Sequence, residues 1–270
     1  MNIGHIAGMC LSFLRSVSYL QATFIGLLLL SFTIASAKVL FSWVKTSWFE
    51  KKIIVRKLPK FIQDLSLRHR LKNKIIVFQN SRAMAFCLGI KNPRIYLSTK
   101  LIDVMNKKEI EAIILHEKYH LINRDIFLIL LATFLNGFFF FFPMITDILA
   151  SVVRQKETDA DRYSITYSKN PNIVLSAFKK LLSGRSTNIP SLAYLVSFVH
   201  IDTLEHRIKI LKGERTFVLS FKVKHILLSF FSLIAIASFV FLSSQPTFAN
   251  QNVSPSVCLK GHNCHVECSS

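Results

Sequence analysis

The chain has 270 residues, 51% of them hydrophobic and only 18% charged, with a formal net charge of +19. That length leaves room for one medium domain plus a few membrane segments, and that apolar share, with a mean hydropathy of +0.40, is high for a soluble domain and points to membrane segments. The charge would allow a nucleic-acid partner or an anionic lipid surface, but 31 of the 34 Lys and Arg lie between Lys45 and Lys224, which under the positive-inside rule reads as a domain on the cytoplasmic face of a membrane.

The first apolar region runs from Tyr19 to Val44, with its core at Ala22–Ala37. About twenty apolar residues cross the hydrocarbon layer, so residues 1–44 read as an N-terminal membrane anchor rather than a cleaved signal peptide. Between Lys45 and Asn123 the pattern is mixed. Lys51–Leu71 reads as helix with a break near Pro59, Lys74–Gln79 as a strand, and Arg94–Leu97, led in by Pro93, as a second strand. A helix starts near Lys107, because Asn106 and Glu109 fit a capping box.

Ile126–Val153 is almost wholly apolar, yet both its flanks are basic. A single crossing would put one basic flank on the wrong side, and two crossings need about 40 residues plus a turn. A shallow hairpin, re-entrant or interfacial, over 126–153 fits both constraints, with Asn136-Gly137 as the turn at its tip. A pair of buried core helices is the alternative. Residues 225–245 read as a C-terminal transmembrane helix.

The tail, 246–270, carries Cys258, Cys264 and Cys268, whereas Cys10 and Cys87 stand alone, so cysteine counting does not settle the redox compartment. Pro246–Ala249 resembles an A-x-A-like cleavage site, and release of the tail, a metal site or disulfide within it, and disorder all stay open.

The chemistry sits on the helix after Asn106. His116 and His120 are four apart, so both imidazoles leave one helix face within reach of one metal ion. Glu117 is placed to hold a water and take its proton, in the H-E-x-x-H arrangement of zinc peptidases. Zinc suits the task, since it acidifies bound water and polarises a carbonyl. The bland alternative is a solvated helix face that happens to carry histidines. A catalytic site needs a third protein ligand. Glu157 is the candidate, with Asp161 one turn on to hold a ligand imidazole; a surface acidic patch is the competing reading.

The stretches FCLGIKNPRIYLS and EIEAIILHEKYHLINRD, the Phe-rich run ending FFFFFP, and then ETDAD together resemble the BlaR/MecR-type antirepressor membrane peptidases. They are similar, more distantly, to the HtpX-like and CAAX-processing membrane peptidases of the same gluzincin group. The resemblance covers about residues 70–245. It implies that His116, His120 and Glu157 bind one zinc ion and that Glu117 is the general base. It implies that Arg94, Ile95, Tyr96 and Leu97 form the edge strand that receives a peptide by strand addition. It also implies that HIDTLEHRIKIL, 200–211, is a short helix following the third ligand, with Arg207 near the site. Those sensors carry a penicillin-binding domain after the last span; here about 25 residues follow it, without an S-x-x-K motif, so β-lactam sensing by that route is not expected.

The expected fold is a mainly α membrane protein: a gluzincin-type zinc peptidase domain over 45–224, with a small β-sheet, held between transmembrane helices. The expected function is membrane-bound zinc metalloendopeptidase activity at the cytoplasmic membrane. Its substrate would be a cytoplasmic or membrane protein, with a transcriptional repressor as one candidate. Membrane lipids are expected partners. Nucleic acid is not, because no recognition motif accompanies the charge. General turnover of membrane proteins, or a non-catalytic protein in which zinc only holds the fold, are the alternatives.

Overall fold

The computed structural model describes residues 19–183 and 221–244; the 200–211 segment, Arg207 and the cysteine-bearing tail lie outside them. The architecture is mainly helical with one small mixed sheet. Helix α1, Tyr19–Lys52, is apolar nearly all round, and Leu27, Leu29, Phe32 and Phe41 on it are more than half exposed. A helix without a polar face suits lipid. Two helices, Gln21–Lys52 and Val223–Phe241, are long and apolar enough to cross a membrane. The expected boundary at residue 44 falls inside α1, which continues unbroken through Trp48 to Lys52. The helix expected over Lys51–Leu71 is interrupted more widely than a kink at Pro59. The β-branched run after Lys52 forms strand β1, Val55–Arg56, and α2, Lys60–Arg68, begins after Pro59 at its N-cap. Proline has no N–H to give to a helix, so it serves as a boundary.

Strands β2 (Ile75–Phe78), β3 (Ala85–Leu88) and β4 (Arg94–Ser98) complete a sheet of order β1-β2-β4-β3. β2 and β4 are parallel, with Ile75 opposite Ile95, and β3 runs antiparallel to β4, with Cys87 opposite Ile95. β4 is therefore an interior strand. Its alternate side chains are buried on both faces: Ile95 and Leu97 join Ile62, Val77, Leu101, Ile110 and Ile114 in the main core. Tyr96 joins Phe78, Phe86 and Leu88 in an aromatic cluster on the other face. Phe49 of α1 packs into that cluster, so the end of α1 is fastened to the sheet.

After α3, Thr99–Val104, the site helix α4 spans Lys107–Asn123 and starts with the expected capping box. Asn106 Oδ1 accepts the Glu109 N–H at 2.9 Å, and Glu109 Oε2 accepts the Asn106 N–H at 2.8 Å. Arg124, in the left-handed region at φ 52°, ends α4, and α5, Asp125–Phe138, departs from it at 65°.

Helix α6, Pro143–Ser168, returns alongside α4. The reversal between α5 and α6 therefore lies in the Phe run 139–142, and Asn136-Gly137 is not the tip of the hairpin. Gly137 is helical and faces α1: a Cβ there would stand 2.9 Å from Ala35 Cα. The dipeptide serves a close helix crossing, and Pro143, a favoured first helical residue, sets where α6 begins. Helix α7, Pro171–Ser183, packs on α4, where Ser176 Oγ and Lys180 Nζ each reach Glu109 at 2.7 Å. Helix α8, Val223–Ser244, docks on α6, with buried Asp147 accepting from His225 Nδ1 at 2.9 Å and from the Lys222 N–H at 3.2 Å.

Candidate metal centre

His116 and His120 lie one turn apart on α4, and Glu157 comes to them from α6. His116 Nε2 is 3.2 Å from His120 Nε2, 3.5 Å from Glu157 Oε2, and His120 Nε2 is 3.6 Å from Glu157 Oε1. Among the described residues these three form one group able to hold a metal ion. His116 is buried, and the side chains of His120 and Glu157 are 15% and 12% exposed, which leaves one narrow side open.

Each imidazole is held from behind. His116 Nδ1 lies 2.9 Å from Asp161 Oδ1, one turn beyond Glu157 on α6. His120 Nδ1 lies 2.8 Å from Asp125 Oδ2 at the first position of α5. A carboxylate only accepts, so both rings carry their proton on Nδ1 and turn the Nε2 lone pair inward. Two lone pairs and a carboxylate facing one another repel unless a cation sits between them. Donors about 2.0–2.1 Å from a tetrahedral zinc are about 3.4 Å apart, and the three observed spacings bracket that value. The donor set fits zinc. Lys156 Nζ, 3.4 Å from Asp125, ties the outer carboxylate in place, and the Phe178 ring meets the His116 ring edge-on.

Glu117 is buried on the turn between the two histidines. Its charge is felt across the sheet: the Cys87 thiol on β3 is pushed well above its ordinary range, by burial first and then by Glu117 and Asp125. β3, which among the described residues pairs only with β4, is the strand edge that packs near the site helix. Arg94, Ile95, Tyr96 and Leu97 are not an edge. β4 is hydrogen-bonded on both sides, and three of these four side chains are buried in the two cores, so the expectation that this strand receives a peptide is corrected.

The model of the family described as BlaR1 peptidase M56 matches residues 14–209. The chain belongs to this family. Among curated proteins, M56 residues of this chain are similar to two proteins named Protease HtpX homolog from Streptococcus equi subsp. zooepidemicus, strains MGCS10565 and H70. Each is 26% identical over 187 residues, covering 52% of this chain and 63% of the relative. A Protease HtpX homolog from Streptococcus equi subsp. equi strain 4047 is 25% identical over the same length. The M56 chain spans 63% of the length of these relatives. With two helices able to span a bilayer, this M56 protein is membrane-associated.

Two features of the M56 site are set by the fold and not by local sequence pattern. Asp125 lies five residues past the second histidine, and only the 65° bend at Arg124 brings it back to His120. β3 is short, and only Phe86 and Leu88 are buried in its alternation.

Proposed function

We propose that this M56 protein is a zinc-dependent endopeptidase of the cytoplasmic membrane, a multi-pass protein with its catalytic domain on the cytoplasmic side. The observation that carries this reading is the inward-facing donor set of His116, His120 and Glu157, with Glu117 between the two histidines. His116, His120 and Glu157 would hold the ion. When bound, zinc acts as a Lewis acid that acidifies water and polarises a carbonyl oxygen. Glu117 takes the proton of the water that attacks the peptide carbonyl and delivers it to the departing amine. Asp161 and Asp125 keep the rings in the tautomer that exposes Nε2. The β3 edge offers backbone donors and acceptors to an extended peptide, alongside the helix that carries Glu117.

The substrate we infer is a cytoplasmic or membrane protein cut for regulation, a transcriptional repressor being one candidate. Similarity to Protease HtpX homologs supports proteolysis without fixing its breadth, and the second reading is broad turnover of membrane proteins. Proteomes of cells carrying the wild type and Glu117→Gln separate the two. One or a few uncut species in the mutant support regulation, and many support turnover. Cleavage that continues in Glu117→Gln with zinc retained would overturn the enzymatic reading altogether.

A further inference from the structure

The end of α1 builds a site that the peptidase chemistry does not use. A groove of about 350 Å³ lies between the last turns of α1, the chain that leaves it, and the end of β2. Lys45 and Lys52 stand on its wall with Trp48, Ile54, Gln79 and Asn80. Between Lys45 and Lys60 the sequence carries six cations and one carboxylate, Glu50. That carboxylate accepts from the Tyr96 hydroxyl at 3.3 Å, so it is engaged with the sheet.

The depth of the groove follows from the helix. Tyr19–Val44 rises about 39 Å at about 1.5 Å per residue, enough to cross about 30 Å of hydrocarbon. Leu40, Phe41, Trp43 and Val44 are all at least 43% exposed, as lipid-facing residues are. Lys45 and Trp48 then fall in the headgroup layer, where tryptophan and basic side chains concentrate. A pocket there with cationic and amide groups beside an exposed apolar face matches one ligand chemistry: a phosphate joined to acyl chains.

We propose that this groove binds an anionic glycerophospholipid, the phosphate between Lys45 and Lys52 beside Trp48 and the upper acyl segment running back along the exposed Phe41 and Val44. The occupant comes from the leaflet that α1 leaves at Lys45. Juxtamembrane lysines attract anionic lipid by about fivefold each, so the pair gives a preference well above that of a bare helix. The site stands apart from the histidines, and its test does not read proteolysis.

The chain has two tryptophans, Trp43 and Trp48, so Trp43→Phe in the full chain leaves Trp48 as sole reporter. The protein is reconstituted in phosphatidylcholine vesicles with an equal minor fraction of brominated phosphatidylglycerol or brominated phosphatidylcholine. Trp48 is expected to be quenched several-fold more efficiently by the anionic lipid. Lys45→Gln with Lys52→Gln should abolish the difference, whereas Lys57→Gln with Lys60→Gln, which removes the same charge outside the groove, should keep it. Inorganic phosphate should not reverse the quenching; reversal would make the ligand a free anion and overturn the lipid assignment. Equal quenching by both lipids, equal loss in both double variants, or a Trp48 shielded from both lipids would overturn it as well.

Discussion

Asp161 holds His116 by its Nδ1 at 2.9 Å while standing one turn from Glu157 on the same helix. α6 thus contributes a donor and orients a second donor that belongs to α4. Asp125 does the same for His120 from α5, so three helices fix the direction of two imidazoles.

Removing either outer carboxylate should loosen the metal without removing a ligand. Asp161→Asn and Asp125→Asn are each expected to weaken zinc binding by about 10–100-fold. A chelator-competition titration of the purified protein measures it, and unchanged affinity in both variants would contradict the arrangement.

Gly137 should tolerate no larger side chain. A Cβ would meet Ala35 Cα at 2.9 Å, backbone against backbone, whereas Gly26 on α1 has nothing within 4 Å. Gly137→Leu is expected to cost about 1–3 kcal/mol, and Gly26→Leu little. Thermal unfolding in one detergent compares the two.

Arg124 sits in the left-handed region, where L residues are strained and achiral glycine is not. Arg124→Gly should preserve stability, and Arg124→Val should cost about 1–2 kcal/mol. Because this residue sets the bend that brings Asp125 to His120, the valine variant should also bind zinc more weakly than the glycine variant, as equilibrium dialysis would report.

Glu109 predicts a pH dependence. Burial alone would raise its pKa, but hydrogen bonds from Lys180, Ser176 and the Asn106 N–H outweigh that and hold it below the ordinary glutamate range. A depressed folded pKa means that the contribution is full above about 4.5 and fades as pH falls through the folded value. Glu109→Gln should destabilise by about 1–3 kcal/mol at neutral pH. The gap from wild type should narrow below pH 4.5; a gap that widens on acidification would refute the sign.

Some of this architecture is written locally and some is not. The capping box, the four-residue histidine spacing and the long apolar runs act within a few turns of chain, so sequence shows them. Glu157 could be singled out because it follows the apolar hairpin. Sheet order is different: whether Arg94–Leu97 has a neighbour on each side depends on β3 and on where β1 pairs, and a two-residue strand such as Val55–Arg56 carries no periodicity of its own. Asn136-Gly137 misled for a related reason. The dipeptide favours turns through its backbone freedom, but here the missing side chain is used for contact with Ala35, a fact about α1 and not about the local chain.

The clasp between Asp147 and His225 couples places that look separate. Asp147 and Glu157 are ten residues apart on α6, about 15 Å along one helix, with no glycine and no proline beyond its first residue. Such a rod has no built-in hinge. A displacement of α8 at His225 would therefore be carried along this helix toward Glu157. Were α8 held in a bilayer, thickness and lateral pressure around it would join the variables that act on the spacing of the donor set.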